Sequence, residues 1–82
     1  MKSSESKEKI AVIGLGYVGL PLMYELAKKF TTFGFDISKS RVKALKKGID
    51  ITGELNAKQL NKISKNLTCS TQDIEECSTY IV

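Results

Sequence analysis

Lys9-Ile10-Ala11-Val12-Ile13-Gly14-Leu15-Gly16-Tyr17-Val18-Gly19 is the stretch from which the rest of the chain is read. Ile10 to Ile13 is an unbroken apolar run, the pattern of a parallel strand buried on both faces. Gly14, Gly16 and Gly19 follow with the spacing G-x-G-x-x-G, and a helical pattern begins directly after them. The first glycine permits the tight turn out of the strand, and the second lets a pyrophosphate approach the backbone. The third lets the helix pack close to the strand. Free N–H groups at the helix start, with the helix dipole, then stabilise phosphate charge. Glycine spacing alone is a weak signal, so the rest of the unit must agree with it.

It does agree. Thr31, Thr32, Phe33, Gly34 and Phe35 read as a second strand ending at Asp36, 17 positions after Gly19. An acid near that position accepts a hydrogen bond from the adenosine ribose 2′-hydroxyl and repels a 2′-phosphate, so Asp36 favours NAD over NADP. The competing reading makes Asp36 only the start of a turn before Ser38. Arg41 leaves a second point open, because a guanidinium nearby would welcome a 2′-phosphate. With Asp36 in place, Arg41 is expected to lie along the adenosine or to be exposed.

Gly14-Leu15-Gly16-Tyr17-Val18-Gly19-Leu20-Pro21-Leu22, followed by Gly34-Phe35-Asp36-Ile37 and Arg41, resembles the start of the UDP-glucose/GDP-mannose dehydrogenases. The Tyr17-to-Pro21 run is more specific than the bare glycine pattern, since other nicotinamide enzymes with a similar turn usually carry Met where Val18 stands. The resemblance extends from Lys9 to Val82. It implies a nucleotide-sugar 6-dehydrogenase that oxidises the C6 alcohol of a UDP-sugar to a carboxylate in two NAD-dependent steps. It also implies a chain several times longer, homo-oligomeric when complete, with a cysteine nucleophile in a later domain. Within the turn, the resemblance lays Tyr17 and Val18 against the cofactor, although Val18 suits a core position equally. The cofactor contacts expected here are thus Gly14, Gly16, Tyr17, Val18, Gly19, Asp36 and Arg41.

Composition is consistent with this. The 82 residues carry a net charge of +4, with 41% hydrophobic and 27% charged residues, ordinary values for a globular domain. No apolar run is long enough to span a membrane and no secretory signal is visible, so the cytoplasm is the default. Cys69 and Cys77 fit no metal or redox spacing and read as free thiols. Neither sits in the motif of the family's nucleophile, and the chain has no histidine to act as general base. The chain alone is therefore expected to lack dehydrogenase activity.

Taken in order, residues 1–8 read as a disordered tail and 9–82 as a partial NAD-binding domain. A helix is expected from about Tyr17 to Lys29, with Pro21 in its first turn and Leu22, Met23, Leu26 and Phe30 facing the sheet. Lys28 and Lys29 close it. Ser38 caps a second helix from Lys39 to Lys47, with Val42 and Leu45 inward and Gly48 beyond its end. The basic residues of that helix surround a core stripe without interleaved aromatics, which favours a solvated face over a nucleic-acid surface. Ile49 to Leu55 is a loop whose acids, Asp50 and Glu54, read as exposed. Its short form resembles the branch of the family that oxidises UDP-N-acetylhexosamines.

Asn56 with Gln59 forms a capping-box start for a short helix carrying Leu60 and Ile63. Leu67 to Ser70 reads as a third strand, Thr71 to Glu76 as a turn or short helix, and Thr79 to Val82 as a fourth strand. The expected fold is α/β, the first half of a doubly wound Rossmann sheet with strand order 3-2-1-4, helices on both faces and right-handed crossovers. Two other classes remain open: a non-catalytic NAD-sensing module and an FAD-binding half-domain, which more often has Glu where Asp36 stands. If strands beyond the fourth are missing, Tyr80, Ile81 and Val82 form an unpaired apolar edge. Self-association is then expected, and a sharp monomer peak in sizing at high concentration would count against it.

Overall fold

The apolar runs expected as strands pair side by side in the order that the spacing predicts. The computed structural model describes residues 8–82, so the expected tail, apart from Glu8, lies outside the described residues. β1 (Lys9–Ile13), β2 (Thr31–Phe35), β3 (Leu67–Thr68) and β4 (Thr79–Ile81) form one sheet in the order β3-β2-β1-β4. All pairings are parallel. Lys9 to Ile13 lie opposite Thr31 to Phe35, and Ile10 to Val12 lie opposite Thr79 to Ile81. Parallel neighbours need crossovers, and α1 (Gly19–Leu26), α2 (Lys39–Lys46) and α3 (Ala57–Ile63) supply the helices for them.

Local chemistry accounts for the helix ends. The Ser38 hydroxyl accepts from the Arg41 N–H at 3.2 Å and starts α2. Gly48 follows α2 at φ +88°, a conformation that suits glycine. At α3 the capping box is reciprocal: Gln59 N–H donates to Asn56 Oδ1 and Asn56 N–H donates to Gln59 Oε1, each at 2.9 Å. α1 differs from expectation at both ends. It begins at Gly19 rather than Tyr17 and ends at Leu26 rather than Lys29. Lys28 and Lys29 donate to the carbonyls of Glu25 and Leu26, three residues back, so the last turn tightens out of the α-helix. Phe30 therefore leaves the core stripe and is exposed, as a correction to its expected place against the sheet.

The two faces of the sheet are unequal. On one face Val12 and Leu67 pack with Leu15, Leu20 and Met23 and with the inner residues of α2 and α3, Val42, Leu45, Leu60 and Ile63. On the other, Ala11, Ile13, Phe33 and Phe35 pack with Ile74 and Cys77, around the 3-10 helix Thr71–Ile74. Helices on both faces thus become three α-helices on one and a single 3-10 turn on the other. β3 is also shorter than expected. After Thr68 the Ser70 N–H donates to the Thr68 hydroxyl at 3.0 Å, which bends the chain off the sheet. β4 sits at the sheet's edge, with Tyr80 and Val82 exposed.

Gly34 is what lets α1 approach the sheet. A Cβ there would stand 2.5 Å from Met23 Sδ, 2.9 Å from Leu15 Cδ2 and 3.1 Å from Leu67 Cδ2. Three core side chains occupy the space that any other residue would need. Gly34→Ala is expected to lower unfolding stability by about 1–3 kcal/mol through overpacking. Urea denaturation checks this, and an unchanged midpoint would contradict the packing described.

Candidate functional site

Gly14 leaves β1 at φ +96°, in the left-handed region where side chains are strained, and its N–H donates to the Phe35 carbonyl at 2.8 Å. The turn then passes under the start of α1 so closely that a Cβ on Gly19 would run into the Gly14 carbonyl oxygen, with the carbonyl carbon 3.0 Å away. Gly16 is the reverse case. Beyond its chain neighbours, no heavy atom lies within 4 Å of where its Cβ would project. The outer two glycines are required by the protein's own backbone, whereas the middle one keeps open space in front of it.

The backbone donors next to it are not all used. Leu20 N–H donates to the Gly16 carbonyl and Leu22 N–H to the Val18 carbonyl, both at 3.2 Å. The N–H groups of Tyr17, Val18 and Gly19 find no acceptor among the described residues. The side chains of Tyr17 and Val18 are exposed, at 69% and 78%, so Val18 does not belong to the core. Val12, Gly14, Gly16, Val18, Leu22 and Ile81 bound a cleft of about 390 Å³ at the carboxyl ends of β1 and β4. Free N–H groups at a helix start, beside a glycine that leaves room, suit a phosphate.

Leu15 does not face this cleft. Its side chain is fully buried among Leu20, Met23 and the sheet. Both of its backbone polar groups are held by charged side chains. Asp36 Oδ2 accepts from the Leu15 N–H at 2.9 Å, and Arg41 Nε donates to the Leu15 carbonyl at 2.7 Å. Asp36 Oδ1 also accepts from the Ser38 N–H at 3.0 Å, so the turn-initiating reading of Asp36 is realised. Each carboxylate oxygen keeps further accepting capacity for a hydroxyl. Asp36 therefore fits a ribose contact as well as a turn.

Arg41 is neither free nor simply exposed. Its side chain is 17% exposed, and its Nη2 lies 3.7 Å from Asp50 Oδ1, with no hydrogen-bond partner among the described residues. Asp50 corrects the expectation of an exposed loop acid, for its side chain has no exposed surface at all. Asp50 Oδ1 accepts from the Thr52 N–H at 3.0 Å and the Thr52 hydroxyl at 2.7 Å. Asp50 Oδ2 accepts from the N–H groups of Glu54 and Leu55 at 2.9 and 3.0 Å. Its flanking isoleucines point the other way: Ile49 is 54% exposed and Ile51 82%. With Ser38, Ser40, Arg41 and Ala44 they line a second cleft of about 330 Å³. Reading the sequence by hydrophobicity inverts this loop. The available signal was the Asp-x-Thr pattern of an Asx turn.

Burial alone would raise the Asp50 carboxyl. The Thr52 hydroxyl and the backbone N–H groups of Leu55, Thr52 and Glu54 outweigh it and hold the carboxyl below its ordinary 3.8. The unfolded chain therefore binds this proton more readily than the folded one. Asp50's contribution to stability is fully present above pH 3.8 and is lost as pH falls through the lower folded value. Asp50→Asn is expected to cost about 1–3 kcal/mol at neutral pH. Its loss of stability on acidification should be shallower than the wild type's. Denaturation midpoints at pH 7 and in the acid range check both points.

The cysteines stand apart from this arrangement. Cys69 lies past the end of β3, half-buried against the core. Burial pushes the Cys77 thiol up, against a smaller opposing pull from Lys9, which favours the protonated form. No described helix is long and apolar enough to cross a membrane.

Residues 8–82 match the model of the UDP-glucose/GDP-mannose dehydrogenase family, NAD binding domain. The chain is similar to a UDP-N-acetyl-D-glucosamine 6-dehydrogenase of Pseudomonas aeruginosa, 48% identical over 75 residues. That match takes in 90% of this chain and 18% of the relative. A UDP-N-acetyl-D-mannosamine dehydrogenase of Methanococcus aeolicus is 38% identical over 90 residues, 100% of this chain and 20% of the relative. Among solved structures, a UDP-D-ManNAc dehydrogenase from Pyrococcus horikoshii superposes with a TM-score of 0.77 at 27% identity, covering 88% of this chain and 19% of that one. The chain spans about a fifth of the length of these relatives.

Proposed function

The chain belongs to the UDP-glucose/GDP-mannose dehydrogenase family, and from that premise we propose that it is the opening half of an NAD site in a UDP-sugar 6-dehydrogenase. The observation that carries this reading is the glycine turn itself. It leaves the N–H groups of Tyr17, Val18 and Gly19 without an acceptor among the described residues and keeps the space in front of Gly16 open, with Asp36 bonded to the same turn at Leu15. Gly14, Gly16, Tyr17, Val18 and Gly19 hold the pyrophosphate, and Asp36 accepts from the adenosine ribose. Arg41 stands beside the cleft in which Ile49 and Ile51 offer an apolar wall to the adenine. NAD, once bound, supplies the hydride acceptor for oxidation of an alcohol.

The chain's own residues bind and orient; none of them moves a proton at the reacting carbon. The substrate is a UDP-N-acetylhexosamine, and two successive oxidations carry its C6 alcohol to a carboxylate on parts of the longer protein outside residues 9–82. The names of the relatives from Pseudomonas aeruginosa and Methanococcus aeolicus support that sugar class. The absence of histidine and the buried, protonated Cys77 support a division of labour in which this part carries cofactor and no chemistry.

Titration of the 82-residue chain with NAD, followed by calorimetry, tests the site. Gly16→Val fills the open space and is expected to weaken NAD binding by more than about tenfold, while leaving the fold intact because, chain neighbours aside, no described atom lies within 4 Å of where its Cβ would project. Asp36→Ala is expected to reduce the preference for NAD over NADP. The chain should not oxidise UDP-N-acetylglucosamine at any NAD concentration. Turnover that disappears on Gly16 substitution would show that catalysis resides here after all.

A further inference from the structure

The cleft beside Asp36 contains the groups that a 2′-phosphate would seek. Ser38 and Ser40 place their hydroxyls 3.1 Å apart, and the Arg41 guanidinium lines the same cleft. Hydroxyls beside an arginine are good phosphate partners. Asp36 opposes such a ligand by its charge, which the N–H groups of Leu15 and Ser38 partly offset. The cation itself needs a separate restraint, and the structure supplies one.

Resting on the dinucleotide reading above, we infer that Asp50 is a second specificity determinant, which holds and neutralises Arg41 so that the site rejects 2′-phosphorylated dinucleotides. The assignment follows from the three guanidinium nitrogens. Nε is spent on the Leu15 carbonyl at 2.7 Å. Nη2 is buried, has no hydrogen-bond partner among the described residues, and faces Asp50 Oδ1 at 3.7 Å. Only Nη1 remains for anything entering the cleft. A phosphate that recruited the whole guanidinium would have to pull Nε off the turn and Nη2 away from a carboxylate that has no exposed surface. Leaving that carboxylate unpaired in a buried position is unfavourable. Asp50 cannot follow Arg41 outward, because four donors from Thr52, Glu54 and Leu55 fix it in its loop. Asp50 touches no ligand and acts through Arg41, so it is a positioning residue.

The experiment compares NAD and NADP binding by calorimetry for the 82-residue chain, for Asp50→Asn, and for Asp50→Asn combined with Arg41→Gln, with circular dichroism to establish folding. Asp50→Asn is expected to narrow the preference for NAD by about tenfold, the size of one charge-assisted contact, chiefly by tightening NADP. The combined variant should lose that gain, because it runs through Arg41. A loop merely loosened by the substitution would weaken both ligands alike and show no dependence on Arg41.

A measurement on the wild type keeps the test decisive if Asp50→Asn fails to fold. The Arg41 Nε–H resonance in the free protein should be protected from exchange and should not shift on adding adenosine 2′,5′-bisphosphate. A shift would overturn the inference, as would an unchanged preference in a folded Asp50→Asn or a gain that survives in the combined variant. Wild-type binding of NAD with any of those results sinks the role of Asp50 alone. Wild-type binding of neither dinucleotide overturns the site reading, and this inference with it.

Discussion

One residue ties the glycine turn to the rest of the molecule. Leu15 buries its side chain in the main core, gives its N–H to Asp36 and receives the Arg41 guanidinium on its carbonyl. Glycines allow a turn to adopt its shape but do not hold it there, since their freedom costs entropy on ordering. Leu15 provides the hold, with one apolar anchor and two charge-assisted hydrogen bonds. Because Asp36 directly follows β2 and Arg41 lies in α2, the turn after β1 is fixed by residues beyond α1. The open space at Gly16 and the free N–H groups around it keep their geometry for that reason.

Arg41 extends the same dependence to the loop after α2. Asp50 organises that loop by accepting four hydrogen bonds, and its remaining charge meets Arg41. A buried carboxylate is tolerable only when its lone pairs are satisfied and a cation is near. The flanking Ile49 and Ile51 are turned outward by this arrangement. Their exposure is the counterpart of the inward aspartate, and it places an apolar wall on the cleft beside Ser38 and Ser40. Electrostatics inside the loop and apolar surface outside it thus come from the same short segment.

The sheet shows the same asymmetry at a larger scale. Its helical face carries nearly all the fully buried side chains, whereas the opposite face is covered by one 3-10 turn and Cys77. Phe33 and Phe35 are accordingly only half-covered. β4 pairs with β1 alone and leaves its outer edge unpaired, with Tyr80 and Val82 exposed beside it. The glycine-turn cleft lies at the carboxyl ends of β1 and β4, while Asp36, just past β2, is hydrogen-bonded to the same turn from the well-packed side.

The sequence by itself determined the strands, their order and the positions of the caps. Each of these depends on local rules: an apolar run, glycine spacing, Ser38 before α2, Asn56 with Gln59 before α3. Asp36 was legible for the same reason, since its place at the end of β2 is a matter of counting. The roles of Leu15, Phe30, Arg41 and Asp50 were decided only by the tertiary structure. Leu15 is buried because Gly34 leaves room opposite it, a pairing 19 positions apart that no local pattern records. Phe30 is exposed because α1 tightens after Leu26. Arg41 leaves the solvated face of α2 because the Leu15 carbonyl accepts from it, and Asp50 leaves the surface because its own loop donates four hydrogen bonds to it and the Arg41 charge stands 3.7 Å away. Burial of a charge depends on what reaches it from elsewhere in the fold, and a single sequence without its packing does not specify that.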